Sequence, residues 1–121
     1  MVTELNVKMT LQGASGKTYL FNLYGYDFFS QLKRAFKPIS AIYVFSHRYM
    51  LDGAFTHDII YLGQTSNLAE RFDNHHKESD IIARNGNCIW IHVFNGTDDQ
   101  RAEVEQDILA SYDFPCNEVN N

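Results

Sequence analysis

Charged side chains stand in this chain where apolar ones would ordinarily pack. Leu68, Arg71, Phe72 and His75 fall at i, i+3, i+4 and i+7, so an arginine and a histidine share a helical stripe with two large apolar residues. Glu105, Ile108, Leu109 and Tyr112 repeat that spacing and put a carboxylate on the stripe, while Glu103, Gln106 and Asp107 lie off it. Burying an unpaired carboxylate or guanidinium costs on the order of several kcal/mol, so such groups are paired, hydrogen-bonded or hold an ion. Two readings stay open at this point: a structural Arg71–Glu105 salt bridge, or a functional site. Tyr43 and Tyr61 stand within two further apolar runs, and taken singly each reads as a hydrogen-bonded core phenol.

The elements that must position these residues are marked along the chain. Leu5, Val7, Met9 and Leu11 alternate with polar residues, as do Tyr19, Phe21 and Leu23, and Gly13 to Gly16 lie between them, which predicts a β-hairpin. Residues Asp27 to Pro38 form a connector carrying Lys33, Arg34 and Lys37. Ala41–Phe45 and Ile59–Leu62 are short, β-branched and aromatic, hence buried strands, and the loop between them contains Asp52-Gly53. Asn67 and Glu70 are placed as a capping box for a helix running to about His76. A short helix from Glu78 to Arg84 stops at Asn85-Gly86, and Ile89–Phe94 is a third strand. Thr97 with Gln100 caps a last helix that ends near Tyr112.

Other site motifs are weaker. Gly13-Ala14-Ser15-Gly16-Lys17-Thr18 ends like a phosphate-binding loop, but Leu11 stands where the first glycine belongs, so no nucleotide cofactor is expected. His75 and His76 are adjacent and His57 and His92 lie elsewhere, a spacing that does not suit a closed zinc site.

The ordered set Ala41-Ile42-Tyr43, Tyr61-Leu62-Gly63, Gln64-Thr65, Asn67 to Phe72, His75, Glu105 and Asn117 resembles the GIY-YIG nuclease superfamily. The arginine comes ten residues after the second tyrosine, the histidine four after the arginine, and the asparagine twelve after the glutamate. The resemblance spans residues 41 to 117. It implies an α/β (α+β) fold, with a small central antiparallel or mixed sheet flanked by helices. Residues 1–40 would be a hairpin and basic connector extending a nuclease domain at 41–121. It further implies a DNA endonuclease using one divalent metal, Mg²⁺ or Mn²⁺. By position, Glu105 resembles the metal ligand, Arg71 the phosphate partner, and Tyr43 or Tyr61 the group that orients or deprotonates water. His75 matches a secondary catalytic position, Gly63 the motif glycine, and Asn117 the asparagine that supports the site. Gln64 stands where relatives often carry a lysine or arginine.

Those roles are chemically sound. A hydrated Mg²⁺ often takes only one or two protein carboxylates, and a guanidinium fork matches phosphate oxygens. A phenol near pKa 10 is a poor base at neutral pH, so it needs neighbouring positive charge to favour phenolate. Lys33, Arg34, Lys37, Arg48, Lys77 and Arg84 are candidates for contacting DNA. The loop holding His47, Arg48 and His57 could contribute to substrate binding or be a surface insertion.

Composition limits the alternatives. A chain of 121 residues with 45% hydrophobic content suits one compact domain. Its net charge of −5 does not by itself suggest nucleic-acid binding, so a nuclease here requires a locally basic cleft. Two cysteines without metal or redox spacing fit a reducing compartment, and the first residues lack an unbroken apolar run, so the expectation is a cytoplasmic protein without membrane partners. The alternative to an enzyme is a nuclease-like module that binds nucleic acid or protein without cutting.

Overall fold

The computed structural model describes residues 7–26, 36–71 and 77–117. Five strands form one antiparallel sheet: β1 Lys8–Gln12, β2 Thr18–Tyr26, β3 Ala41–Leu51, β4 Ala54–Thr65 and β5 Cys88–Val93, in the order β1-β2-β5-β3-β4. Among the described residues three α-helices accompany it, α1 beginning at Leu68 and described to Arg71, α2 Glu78–Ala83 and α3 Asp98–Leu109. The amino-terminal hairpin therefore extends the sheet through the β2–β5 pairing, at the edge opposite β4.

The sheet separates two apolar layers. Tyr43, Phe45, Ile60, Tyr61, Ile89 and Ile91 pack with Leu68 and Ile81 from α1 and α2 on one face. Ile42, Val44, Leu62, Trp90, Phe21 and Leu23 pack with Val104 and Ile108 of α3 on the other. Strand alternation produces this split, and one bulge adjusts it. Phe45 pairs with Tyr61 and Ser46 with Ile59, so Ile60 has no opposite number, and Ile60 and Tyr61 both join the first layer.

Local signals explain the element ends. Thr97 and Gln100 form a reciprocal capping box, with Gln100 N–H donating to Thr97 Oγ1 (3.1 Å) and Thr97 N–H to Gln100 Oε1 (2.9 Å). Asn85 takes a positive φ of 58° after α2, and the bonds Gly86 N–H to Ile81 O and Asn85 N–H to Ile82 O complete the stop. At α1, Asn67 Oδ1 accepts from Ala69 N–H (3.0 Å) as expected of an N-cap. Its own backbone N–H donates to Thr65 Oγ1 (3.0 Å), which takes the place of the expected Glu70 arm of the box.

Two expectations need correction. The expected loop between the tyrosine strands is a continuation of β3 and β4 into a long ribbon, closed by Asp52 and Gly53 with φ of 50° and 80°. Its tip exposes Met50, Leu51 and Phe55. The apolar stripe of α3 is also rotated from the one expected: its buried residues are Arg101, Val104 and Ile108, and Glu105 and Leu109 flank them at intermediate exposure.

Candidate active site

Tyr43 and Tyr61 project from neighbouring strands into the same layer, with ring centroids 6.1 Å apart. Register places Tyr43 opposite Gly63. A Cβ on Gly63 would lie 2.8 Å from Tyr43 Cε2 and closer still to Cζ and Oη, so the glycine provides the space in which the phenol rests. The motif glycine thus has a steric reason internal to the sheet. Arg71, in the first turn of α1, donates from Nε to Tyr43 Oη at 2.8 Å and sets its guanidinium carbon 5.9 Å from that ring's centroid. Tyr61 belongs to the same electrostatic cluster, its ring 6.1 Å from that of Tyr43 and its ionisation opposed by burial and favoured by the charge of Arg71.

Glu105 approaches from the other layer. Because β4 is the outermost strand, side chains from both faces of the sheet can meet round it. The Glu105 charge raises the Tyr61 pKa, and the Arg71 charge lowers that of Glu105, so the four groups share one electrostatic neighbourhood. Of the two readings the sequence leaves open, the Arg71–Glu105 salt bridge is not found: among the described residues, Arg71 Nε bonds to the Tyr43 phenol, and no ion pair joins Arg71 to Glu105.

Burial dominates the electrostatics. Desolvation pushes Tyr43 far above the ordinary phenol range, with the charge repulsion expected between two phenolates adding to it and Arg71 opposing. Tyr61 is raised for the same first reason; the charge of Arg71 pulls it back and that of Glu105 pushes it up. Both phenols are therefore protonated at neutral pH, because the charge of Arg71 opposes burial without outweighing it. Glu105 is raised by burial, with Arg71 pulling the other way.

Asn117 supports the cluster from behind. Its Oδ1 accepts the Leu62 N–H at 2.6 Å and its Nδ2 donates to the Leu62 carbonyl at 2.8 Å, so both outward backbone groups of the residue after Tyr61 are satisfied by one side chain. This contact fixes the backbone of the edge strand beside Tyr61.

Other expected site residues are placed elsewhere. Gln64 does not face the phenols; its Oε1 accepts from Arg101 Nε at 2.6 Å in the opposite layer. Arg48 lies five residues along β3 from Tyr43, about 17 Å at the rise of a strand, with its guanidinium carbon 4.0 Å from the Phe55 ring centroid. His75, Lys33 and Arg34 lie outside the described residues. Arg101, 4% exposed and bonded to Gln64 and Asp98, escaped the sequence reading. Extending the α3 stripe one turn toward the amino terminus, to Arg101, Val104 and Ile108, would have found it.

No helix is long and apolar enough to cross a membrane among the described residues. Comparison of the chain with models of known protein families, with curated proteins and with solved structures finds no match.

Proposed function

We propose that this chain is a GIY-YIG-type, metal-dependent endonuclease that hydrolyses DNA phosphodiester bonds at the Tyr43–Tyr61–Arg71–Glu105 cluster. The observation that carries the reading is the convergence of two phenols, a guanidinium and a carboxylate at one sheet edge, in the order and spacing of that superfamily.

The donor set fits a hard divalent ion. Glu105 is half-buried and accepts no hydrogen bond from the described residues, and no three His, Cys, Asp or Glu side chains converge among them. A lone carboxylate of this kind suits Mg²⁺ or Mn²⁺, which keeps most of its waters. When bound there, such an ion supplies charge neutralisation at phosphate and acidifies water. Arg71 commits Nε to Tyr43, which leaves the other two nitrogens of its fork for a phosphate near Glu105. Tyr43, fully buried, serves as the anchor for that arginine; Tyr61, at the edge strand and between the charges of Arg71 and Glu105, is the phenol that orients the attacking water. Gly63 leaves the space for the Tyr43 phenol, and Asn117 fixes the β4 backbone beside Tyr61.

The test is conversion of supercoiled plasmid with Mg²⁺ or Mn²⁺ by the full chain, beside Glu105→Ala and Arg71→Ala. Nicking abolished by both substitutions in folded protein supports the enzyme. DNA binding without cleavage under any divalent ion replaces it with a binding module.

A further inference from the structure

The β1–β2 turn is built to receive an anion, and α3 delivers one. Ser15 N–H donates to Asp107 Oδ1 at 2.8 Å, and the Ser15 hydroxyl and Tyr19 phenol each donate to Oδ2 at 2.7 Å. Ala14 N–H donates to the Asp107 carbonyl at 3.0 Å, and a Cβ on Gly13 would overlap the carboxylate. The segment that resembles a phosphate-binding loop is therefore filled by the protein's own side chain.

That contact bears on the rotation of α3. Its buried apolar side chains are Val104 and Ile108, one turn apart along a line about which a helix can roll, with Leu109 packed part-buried beside them. Polar ties stop the roll on both flanks: Arg101 to Gln64 toward β4, and Asp107 to Ser15 and Tyr19 toward the hairpin, where Gln12 N–H also donates to Tyr112 Oη (3.0 Å). Residues two apart on a helix point about 200° away from one another, so Asp107 and Glu105 leave α3 on opposite sides.

We infer that Asp107 is a positioning residue: docked in the Gly13–Gly16 turn, it fixes the rotation of α3 and so sets how near the Glu105 charge lies to Tyr61 on the far side. This rests on the reading of Glu105 and Tyr61 as partners in one active site. It gives the amino-terminal hairpin a part in the chemistry without any contact between hairpin and substrate.

The experiment uses the full chain as wild type, Asp107→Ala, Tyr19→Phe, Ser15→Ala and a control on the exposed side of α3, Glu103→Ala. Two quantities are read: plasmid-nicking kcat and KM with Mg²⁺, and the ¹³Cζ resonance of Tyr61 in metal-free protein, which senses the charge of Glu105. Asp107→Ala is expected to lower kcat about tenfold with KM within about twofold, the scale of a small misplacement of a catalytic group. The Tyr61 resonance shifts with it, Tyr19→Phe and Ser15→Ala shift it less in the same direction, and Glu103→Ala leaves it in place. Should Asp107→Ala fail to fold, the Tyr19 and Ser15 variants carry the same comparison. An unmoved Tyr61 resonance in the folded clamp variants overturns the inference whatever kcat does. A wild type that does not nick DNA sinks the endonuclease reading instead, and the resonance alone then decides whether Asp107 positions Glu105.

Discussion

Two carboxylates on opposite sides of α3 are treated in opposite ways. Asp107 is surrounded by donors, and its bonds to Ser15 and Tyr19 hold it below the usual carboxylate range. Glu105 accepts no bond from the described residues, and burial pushes it up, offset only by the charge of Arg71. The fold satisfies the first and leaves the second wanting a partner. An ionisable group kept at an energetic cost, beside a hydrogen-bonded arginine and two phenols, is where chemistry is sought; one with all its needs met is part of the frame.

The largest expected effect is on the unsatisfied side. Arg71→Ala and Glu105→Gln should each lower nicking by about 10²- to 10³-fold, the usual loss when one charge-stabilising group leaves an active site. Glu105→Gln should at the same time make the metal-free protein more stable at pH 7. A carboxyl whose folded pKa is raised contributes stability that is present below its unfolded pKa and lost as pH rises through the folded value, so at pH 7 the ionised form is a burden that glutamine removes. Asp107→Asn should do the reverse. Its lowered folded pKa gives stability present above the unfolded pKa and lost as pH falls through the folded one, so the variant is weaker at pH 7 and converges on wild type in acid. Urea unfolding of both variants at pH 7 and pH 4 checks the signs; a Glu105→Gln protein less stable than wild type at pH 7 would erase the contrast between the two carboxylates.

The frame around the unsatisfied side can be probed next. Gly63→Ala forces a methyl into the Tyr43 phenol and should cost about 1–3 kcal/mol, as overpacking does. Asn117→Ala strips the Leu62 N–H and carbonyl of their partners, at a cost of about 1–3 kcal/mol for a part-buried pair. Denaturant midpoints measure both, and the Tyr61 resonance shows whether the loss is felt at the phenol.

What the sequence made legible follows from the range of each interaction. Thr97 and Gln100, Asn85-Gly86 and Asp52-Gly53 are short-range signals, and each ends an element or turns the chain where expected. Tyr43, Tyr61, Gly63, Arg71, Glu105 and Asn117 could be picked out because their spacing matched a family's order, while their meeting at an edge depends on β4 being outermost, which no local pattern encodes. The Asp107–Ser15 bond joins residues 92 apart in sequence, and Asp107 looks like any solvated acid on a helix. The extension of β3 and β4 into a ribbon was hidden because His47, Arg48 and His57 interrupt the apolar pattern by which strands are recognised.

A third ionisable group tests whether burial costs positive charge as it does negative. His57, half-buried on the ribbon, bonds through Nδ1 to Ser46 Oγ at 2.9 Å, and Ser46 Oγ accepts from Trp90 Nε1 at 2.9 Å. Ser46 is fully buried, so its hydroxyl proton goes to His57 only while that ring is neutral. Desolvation lowers the His57 pKa, and the charges of Arg48 across the ribbon and of His47 add to it. A depressed folded pKa means that stability is full above the unfolded value of about 6.5 and declines as pH falls through the folded one. Trp90, the chain's only tryptophan, stands edge-on to His57 with ring centroids 4.9 Å apart, so its fluorescence should titrate with a midpoint below that of a free histidine. His57→Gln should abolish that titration while leaving nicking near wild type, because the ribbon histidine is remote from the Tyr61 edge. A Trp90 signal that is flat from pH 7.5 to the onset of acid unfolding would mean that the Ser46 bond is not controlled by the charge on His57, and that burial on this sheet acts chiefly on its acids and phenols.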